Sequence, residues 1–349
     1  MAAEKRRVAV LGATGAVGQR FIQLLVGHPW FELAAVAASD RSAGKSYGEA
    51  TRWLLAGEMP AGVSGMEVLP ANVHAVQADL IFSALDASVA EGVEGEFRSA
   101  GATVVSNARN YRMHLDVPLV IPEVNGDHLA LARAQRARYG GAIVTNPNCS
   151  TIGLCLALEP LREAFGLKRV QVTSLQALSG AGYPGVPSGD ILDNVLPEIV
   201  GEEDKLESEP AKIFGALGDG GVGCHPVIVS AQCNRVAVRD GHLLSISVEL
   251  DRPVSPEEAG EIFDRYRSPL TELGLPSAPE RPVVLQRAAV RPQPLLDRDT
   301  AGGMAVTVGR LRACPILGLR FVALVHNTIR GAAGNTILIG EQMVALGLL

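Results

Sequence analysis

The run Gly12-Ala13-Thr14-Gly15-Ala16-Val17-Gly18 lies between the apolar stretch Arg7-Val8-Ala9-Val10-Leu11 and a helix-like stretch from Gln19 to Val26. No other feature constrains the fold as strongly. A buried strand, a glycine turn and a helix in that order open a βαβ unit. Gly12 permits a tight turn, Gly15 lets the backbone approach a phosphate closely, and Gly18 lets the helix pack on the strand. The start of the helix then faces the anion with its unpaired N–H groups. The pattern therefore predicts a dinucleotide site, although its spacing is GxxGxxG rather than GxGxxG. The alternative is an ordinary structural turn.

Further strands are predicted at Leu33–Ala37, Leu80–Ser83, Thr103–Ser106, Leu119–Ile121 and Ala142–Val144, with helices at Val89–Ser99 and Asp127–Tyr139. Such alternation implies an α/β, Rossmann-like doubly wound parallel sheet. The second strand runs into Ser39-Asp40-Arg41-Ser42-Ala43-Gly44-Lys45, where an adenosine ribose would lie. Ser39, Arg41, Ser42 and Lys45 are suited to surround a 2′-phosphate, which favours NADP. Asp40 dissents, because a carboxylate there would prefer a free 2′-hydroxyl.

At 349 residues the chain is long for one core, so two domains are expected. Past residue 149 the texture changes to longer alternating strands, notably Val170–Gln176 and Leu243–Leu250, and an α+β domain with a large mixed sheet is predicted. Hydrophobic residues make up 47% and charged residues 19% of the chain. No apolar run reaches the roughly 20 residues of a membrane span. The charged N-terminus leaves no room for a signal peptide before the first strand, so a cytoplasmic protein is expected. Five unevenly spaced cysteines argue against a disulfide framework and contain no CxxC zinc spacing. A net charge of −6 without a long basic run weighs against nucleic acid as a partner.

Chemistry concentrates at Asn146-Pro147-Asn148-Cys149-Ser150-Thr151, between the strand Ala142-Ile143-Val144 and the helix-like run Ile152–Leu158. A strand that stops at Asn-Pro and restarts as a helix leaves Cys149 beside unpaired N–H groups, whose field favours a thiolate. Cys149 is a candidate nucleophile; the competing reading is a buried cysteine that packs as a small hydrophobe. Of seven histidines, His242 is best placed to handle its proton, where a loop after Asp240-Gly241 enters a strand. Arg235, seven residues upstream, supplies a cation for an anionic substrate. His225 beside Cys224 mimics this arrangement, as does a Cys224/Cys233/His225 metal cluster. Arg112 and Lys205 are further cation candidates, but Glu202–Lys205 reads by itself as a solvated acidic helix face. The glycine-rich loop Ser179-Gly180-Ala181-Gly182-Tyr183-Pro184-Gly185 is suited to bring backbone donors against a ligand, or is simply a mobile turn.

Taken together, GATGAVG, SNARNYRM, IPEVN, NPNCST, SLQALSGAGYPG and RVAVRDGH, in this order over almost the whole chain, resemble the aspartate-semialdehyde dehydrogenase family, in the branch found in archaea and fungi. The resemblance implies NADPH-dependent reduction of L-aspartyl 4-phosphate to the semialdehyde, within the biosynthesis of lysine, threonine and methionine. It implies Cys149 as the acyl-accepting nucleophile, His242 as acid/base and Gln176 as a residue that orients substrate. Arg235 would hold the substrate carboxylate, Glu202 its amino group, and Arg112 and Lys205 the phosphate, with Asn148 preceding the nucleophile. Gly12, Thr14, Gly15, Ala16, Val17, Ser83, Ser179, Gly180 and Asn335 join the ribose set as cofactor residues. The implied division is 1–148 for the NADP-binding domain, 149–329 for the catalytic and dimerisation domain, and 330–349 for a helix that returns to the first domain. A homodimer or homotetramer is expected. Ser83-Ala84-Leu85-Asp86 departs from relatives that carry proline after the leucine. Rivals are malonyl-CoA reductase on the same scaffold, the more distant N-acetylglutamyl-phosphate reductase, and a non-catalytic NADP-binding redox sensor.

Overall fold

The computed structural model describes residues 5–218 and 221–349. Its first sheet contains β1 (Arg6–Leu11), β2 (Phe31–Ala38), β3 (Val68–Pro70), β4 (Leu80–Ser83), β5 (Thr103–Ser106) and β6 (Ala142–Thr145), in the order β3-β2-β1-β4-β5-β6 with every pair parallel. Side chains alternate across the strands and feed two cores. Val8 and Val10 meet Phe21 and Ile22 of the helix Ala16–Leu25 on one face, while Ala9 and Leu11 share a core with Phe97 of the helix Ala87–Ser99 on the other. The first face also receives the C-terminal helix Gly334–Ala345. Gly340 makes that approach possible, because a Cβ there would lie 2.9 Å from Leu80 and 3.0 Å from Phe82.

The second sheet contains β7 (Arg169–Gln176), β10 (Ile228–Arg235), β11 (His242–Glu249), β12 (Val283–Gln286), β13 (Val306–Cys314) and β14 (Gly318–Val325), in the order β10-β7-β11-β14-β13-β12. Its edge pairs are parallel and its central pairs antiparallel. A small antiparallel pair, β8 (Ala216–Gly218) and β9 (Gly221–Gly223), stands apart. The helix Cys149–Phe165 lies on one face of the large sheet, and at Gly153 an added Cβ would come within 2.6 Å of Val325. Along β7 the burial alternates strictly until the site is reached, so Gln171 and Leu175 lie on the uncovered face.

Two readings of the sequence change. Leu119–Ile121 is not a strand: it contributes one isolated bridge from Leu119 to Thr145, and Pro122 then opens a short helix. The missing sixth strand is β3, whose three residues at the sheet edge are too few to show a pattern. The departure at Asp86 has a local explanation. Its carboxylate caps the helix Ala87–Ser99 by accepting from the Ser88 N–H at 2.8 Å, a bond that proline has no side-chain acceptor to make.

Candidate active site

Cys149 is the first residue of a 17-residue helix. Asn148 caps it, its Oδ1 accepting from the N–H groups of Ser150 at 2.9 Å and Thr151 at 3.3 Å. The Ile152 N–H bonds the Asn148 carbonyl. Those bonds account for the donors beyond Cys149 and leave its own N–H at the mouth of the helix. The second sheet delivers the partners by register. Parallel pairing sets Arg235, at the end of β10, beside Gln176, at the end of β7. Antiparallel β11 begins where β7 ends, so His242 enters at the same edge.

Cys149 Sγ lies 3.2 Å from His242 Nε2, and His242 Nδ1 accepts the Ala177 N–H at 3.0 Å. That second bond sets the tautomer: the neutral ring carries its proton on Nε2 and donates it to sulfur. Burial holds the imidazole down at about 3, assisted by the Arg235 charge. Cys149 touches solvent but has protein on most sides. That desolvation, followed by the Glu202 charge, pushes its thiol up to about 12, against the opposing pull of Arg112, Lys205 and the Ser150 N–H. The expectation of a resting thiolate is therefore corrected. The helix field is real, but desolvation outweighs it, and the resting pair is neutral thiol with neutral imidazole.

Around this pair, Glu202 takes the Asn148 side chain at 2.9 Å, Gln176 Nε2 at 3.2 Å and Lys205 Nζ at 2.6 Å. Burial raises its carboxyl, but these cationic and amide partners outweigh burial and hold it below the ordinary value. Glu202–Lys205 is thus no solvated face; it starts the helix Glu202–Ile213, whose buried side turns toward Cys149. Arg235 is buried, donating to the Ala177 carbonyl at 2.7 Å. Arg112, also buried, donates to Glu209 at 2.9 Å and to the Asn107 carbonyl at 2.8 Å. Among the described residues no three His, Cys, Asp or Glu side chains are grouped to hold a metal. Cys224 is exposed, whereas Cys233 is buried.

The glycine loop stands at the carboxyl edge of the first sheet, directly after β1. Gly12 has φ +72, and a Cβ there would sit 2.4 Å from the Ala84 carbonyl oxygen; Gly15 offers no side-chain cap to the helix that begins at Ala16 and Val17. A Cβ on Gly15 would touch only the Gly12 oxygen, at 3.5 Å, so the helix start is open to an anion. The Thr14 carbonyl is taken by Gln19. Ser83 pairs with Leu11, which brings it to the same sheet edge, and the Ala13 N–H bonds the Ala37 carbonyl just before the turn that carries Ser39, Arg41, Ser42 and Lys45. Ser39, Asp40, Arg41 and Lys45 are exposed, and Lys45 Nζ donates to the Arg41 carbonyl. Asn335 is buried, its Nδ2 donating to Asn146 at 2.7 Å while its Oδ1 has no partner. Ser179 Oγ accepts from Asn327, and Gly180 lies so close to Arg235 and His242 that a Cβ would come within 2.9 Å of both. A cavity of about 590 Å³ separates the helix start at Ala16 from the loop that includes Ser179 and Tyr183.

Sequence reasoning missed Gly331. It lies in the turn Ile329–Ala333, where an added Cβ would fall 2.7 Å from the Cys149 Cβ and 3.1 Å from its Cα. Gly331→Ala is expected to push the nucleophile out of place and lower turnover on the order of ten- to a hundredfold, with little change in NADP binding. Turnover equal to wild type would show that the turn relaxes without moving Cys149.

Two family models match the chain: "Semialdehyde dehydrogenase, NAD binding domain" over residues 7–132 and "Semialdehyde dehydrogenase, dimerisation domain" over residues 158–330. An aspartate-semialdehyde dehydrogenase of Archaeoglobus fulgidus is 51% identical over 339 residues, covering 97% of each chain. One from Methanothermobacter thermautotrophicus is 53% identical, covering 96% of this chain and 97% of its own. The crystal structure of the Candida albicans enzyme with NADP superposes with a TM-score of 0.92 at 42% identity, covering 99% of this chain and 100% of that one. With this extent of identity laid over the site just described, the chain belongs to the aspartate-semialdehyde dehydrogenase family.

Proposed function

We propose that this protein is an NADP-dependent aspartate-semialdehyde dehydrogenase that reduces L-aspartyl 4-phosphate to L-aspartate 4-semialdehyde and phosphate through a thioester on Cys149. The observation that carries the reading is the contact of Cys149 Sγ with His242 Nε2 at 3.2 Å, ringed by Arg235, Glu202, Arg112 and Lys205. That ring matches the groups of one small molecule: two anionic ends, an ammonium and an acyl carbon between them.

The Cys149 sulfur attacks the acyl carbon as the carbon–oxygen bond to phosphate breaks; the thiol proton passes to the departing phosphate oxygen, and Arg112 and Lys205 receive the hydrogen phosphate. Arg235 holds the carboxylate. The substrate ammonium rests on Glu202 and cancels the charge that, after burial, most opposes thiol ionisation. Gln176, bonded to Glu202, orients the same end of the substrate. The Cys149 N–H serves the oxyanion, whereas the Asn148 N–H is bonded to Glu209 at 2.7 Å. When bound, reduced NADP supplies hydride. After hydride reaches the thioester carbon, the carbon–sulfur bond breaks as the oxyanion collapses to the aldehyde; His242 Nε2–H hydrogen-bonds the departing thiolate, and a solvent proton restores the thiol. Gly12, Thr14, Gly15, Ala16 and Val17 would hold its pyrophosphate, Ser39, Arg41, Ser42 and Lys45 its 2′-phosphate, and Ser83, Ser179, Gly180 and Asn335 its nicotinamide half. The open helix start and the unpartnered Asn335 Oδ1 support that fit.

The reading divides the chain at 148/149 and 329/330. Support comes from sheets that hold residues 6–145 and 169–325, and from the packing of Gly334–Ala345 in the first core. It includes assembly as a homodimer or homotetramer through the uncovered face of the second sheet, where Leu175 and Ile228 are exposed. It also includes a cytoplasmic location. Among the described residues no helix is long and apolar enough to cross a membrane.

The test is purified protein with L-aspartate semialdehyde, phosphate and NADP, followed by absorbance of the reduced cofactor. Phosphate-dependent reduction, weaker with NAD, is the expected result. No turnover, or faster NADPH oxidation with malonyl-CoA than with aspartyl phosphate, would reject the assignment. Arg235→Lys is expected to raise the semialdehyde KM by about tenfold or more, ~1.4 kcal/mol, because a point charge replaces a planar fork. An unchanged KM would remove Arg235 from the substrate pocket.

A further inference from the structure

The helix Glu202–Ile213 carries charged residues at 202, 205, 209 and 212, a spacing that stacks them on one face with alternating sign. Glu202 and Lys205 belong to the site. Glu209 and Lys212 are buried deeper, and no step above uses them. Glu209 bridges two site elements: one oxygen accepts from Arg112 Nη1 at 2.9 Å, the other from the Asn148 N–H at 2.7 Å. One turn on, Lys212 Nζ donates to three carbonyls of a single loop, Arg112 at 2.6 Å and His114 and Val117 at 2.7 Å each. That loop follows β5 of the first sheet, whereas the helix follows β7 of the second. Two neighbouring side chains therefore grip Arg112 across the junction of the two sheets, one by its guanidinium and one by its backbone.

We propose that Glu209, backed by Lys212, is a positioning residue that holds the Arg112 guanidinium in register with the Asn148–Cys149 turn, so that phosphate meets a preset fork beside the sulfur. The proposal rests on Arg112 as a phosphate ligand. A long guanidinium side chain without a fixed acceptor samples many rotamers, and an arriving anion would have to order it. Here the Asn107 carbonyl and Glu209 each take one terminal nitrogen, while Nε keeps a donor with no acceptor. Glu209 also ties the same guanidinium to the start of the nucleophile helix, which couples phosphate position to sulfur position.

Glu209→Gln keeps the shape but sets an NH₂ donor against one of the two donors it must satisfy. Two readouts are compared in wild type, Glu209→Gln, Arg112→Ala and the double variant: the phosphate KM of the phosphate-dependent reaction, and the protection that inorganic phosphate gives Cys149 against iodoacetamide. In Glu209→Gln both the phosphate KM and the half-protecting phosphate concentration should rise about tenfold or more, with the semialdehyde KM within about twofold. On the Arg112→Ala background the same substitution should add less than about twofold, because it acts through the guanidinium. Lys212→Met should reproduce the pattern if Glu209→Gln fails to fold. A wild-type phosphate response in folded Glu209→Gln, or equal and additive losses toward both substrates, would overturn the clamp while leaving the assigned reaction intact. Absence of phosphate-dependent turnover in wild type would reject that reaction. Absence of phosphate protection in wild type would overturn the clamp along with the role of Arg112.

Discussion

Cys149→Ser is expected to lower turnover by at least about 10³-fold, or ~4 kcal/mol of transition-state stabilisation, while NADP still binds with near wild-type affinity. Serine fits the space at the head of the helix, and its oxygen can still accept from His242 Nε2. What changes is ionisation: an alcohol gives up its proton far less readily than a thiol, and this site already makes ionisation hard. The thiol stands at about 12 rather than the ordinary 9.0. Alkylation of wild-type Cys149 by iodoacetamide should accordingly rise about tenfold per pH unit from 7 to 10 without a plateau. Stability carries the same signature. Between about 9 and 12 the unfolded chain sheds the proton that the folded chain retains, so this group lowers stability as pH climbs through that window. His242 acts at the other end: its folded value of about 3 against 6.5 means that stability is lost as pH falls through that range. Residual turnover above a few per cent in the serine variant would end the covalent route. A plateau in alkylation near neutrality would show a thiolate at rest.

Arg330→Met should cost about 3–5 kcal/mol of folding free energy, the second-largest effect expected. Arg330 and Glu123 are completely buried and form a two-pronged pair, with Arg330 Nη1 2.8 Å from Glu123 Oε1 and Nη2 on Oε2. Methionine would fill most of the volume but leave Glu123 as an uncompensated buried charge, which is the source of the cost. Arg330 sits in the turn that also holds Gly331 against Cys149, so turnover should fall with stability. Urea unfolding checks the energetic half. Adding Glu123→Leu to Arg330→Met should recover much of the loss, since two apolar side chains can replace a buried ion pair at little net cost. A single variant within about 1 kcal/mol of wild type would show that water reaches Glu123.

Legibility in the sequence tracked how local the determining forces were. Strands β4 and β5 match the sequence reading residue for residue because each pairs on both sides in the parallel sheet, whereas the equally short apolar run Leu119–Ile121 finds only one bridge. The helix at Cys149 was likewise announced by its Asn-Pro turn, although it begins three residues earlier than its apolar run suggested. Edge strand β3 was invisible because three residues cannot display a period. Glu202–Lys205 reads as a solvated helix face for a different reason, and the buried turns that continue it carry no signal of their own. The partners that bury Glu209 and Lys212 lie 61 to 100 residues away along the chain, and no local pattern reports them.

Residue order alone determined the layered parallel sheet, the position of the glycine loop and the candidacy of Cys149, since each depends on backbone preferences and hydrophobic spacing over a few neighbouring residues. Only the tertiary structure decided the protonation of the site and the partners of its charges. Desolvation and Coulomb terms sum over every group within several ångströms, and here those groups arrive from β7, β10, β11, the helix Glu202–Ile213 and the turn at Gly331. A field built from such distant segments exists only once the chain has folded.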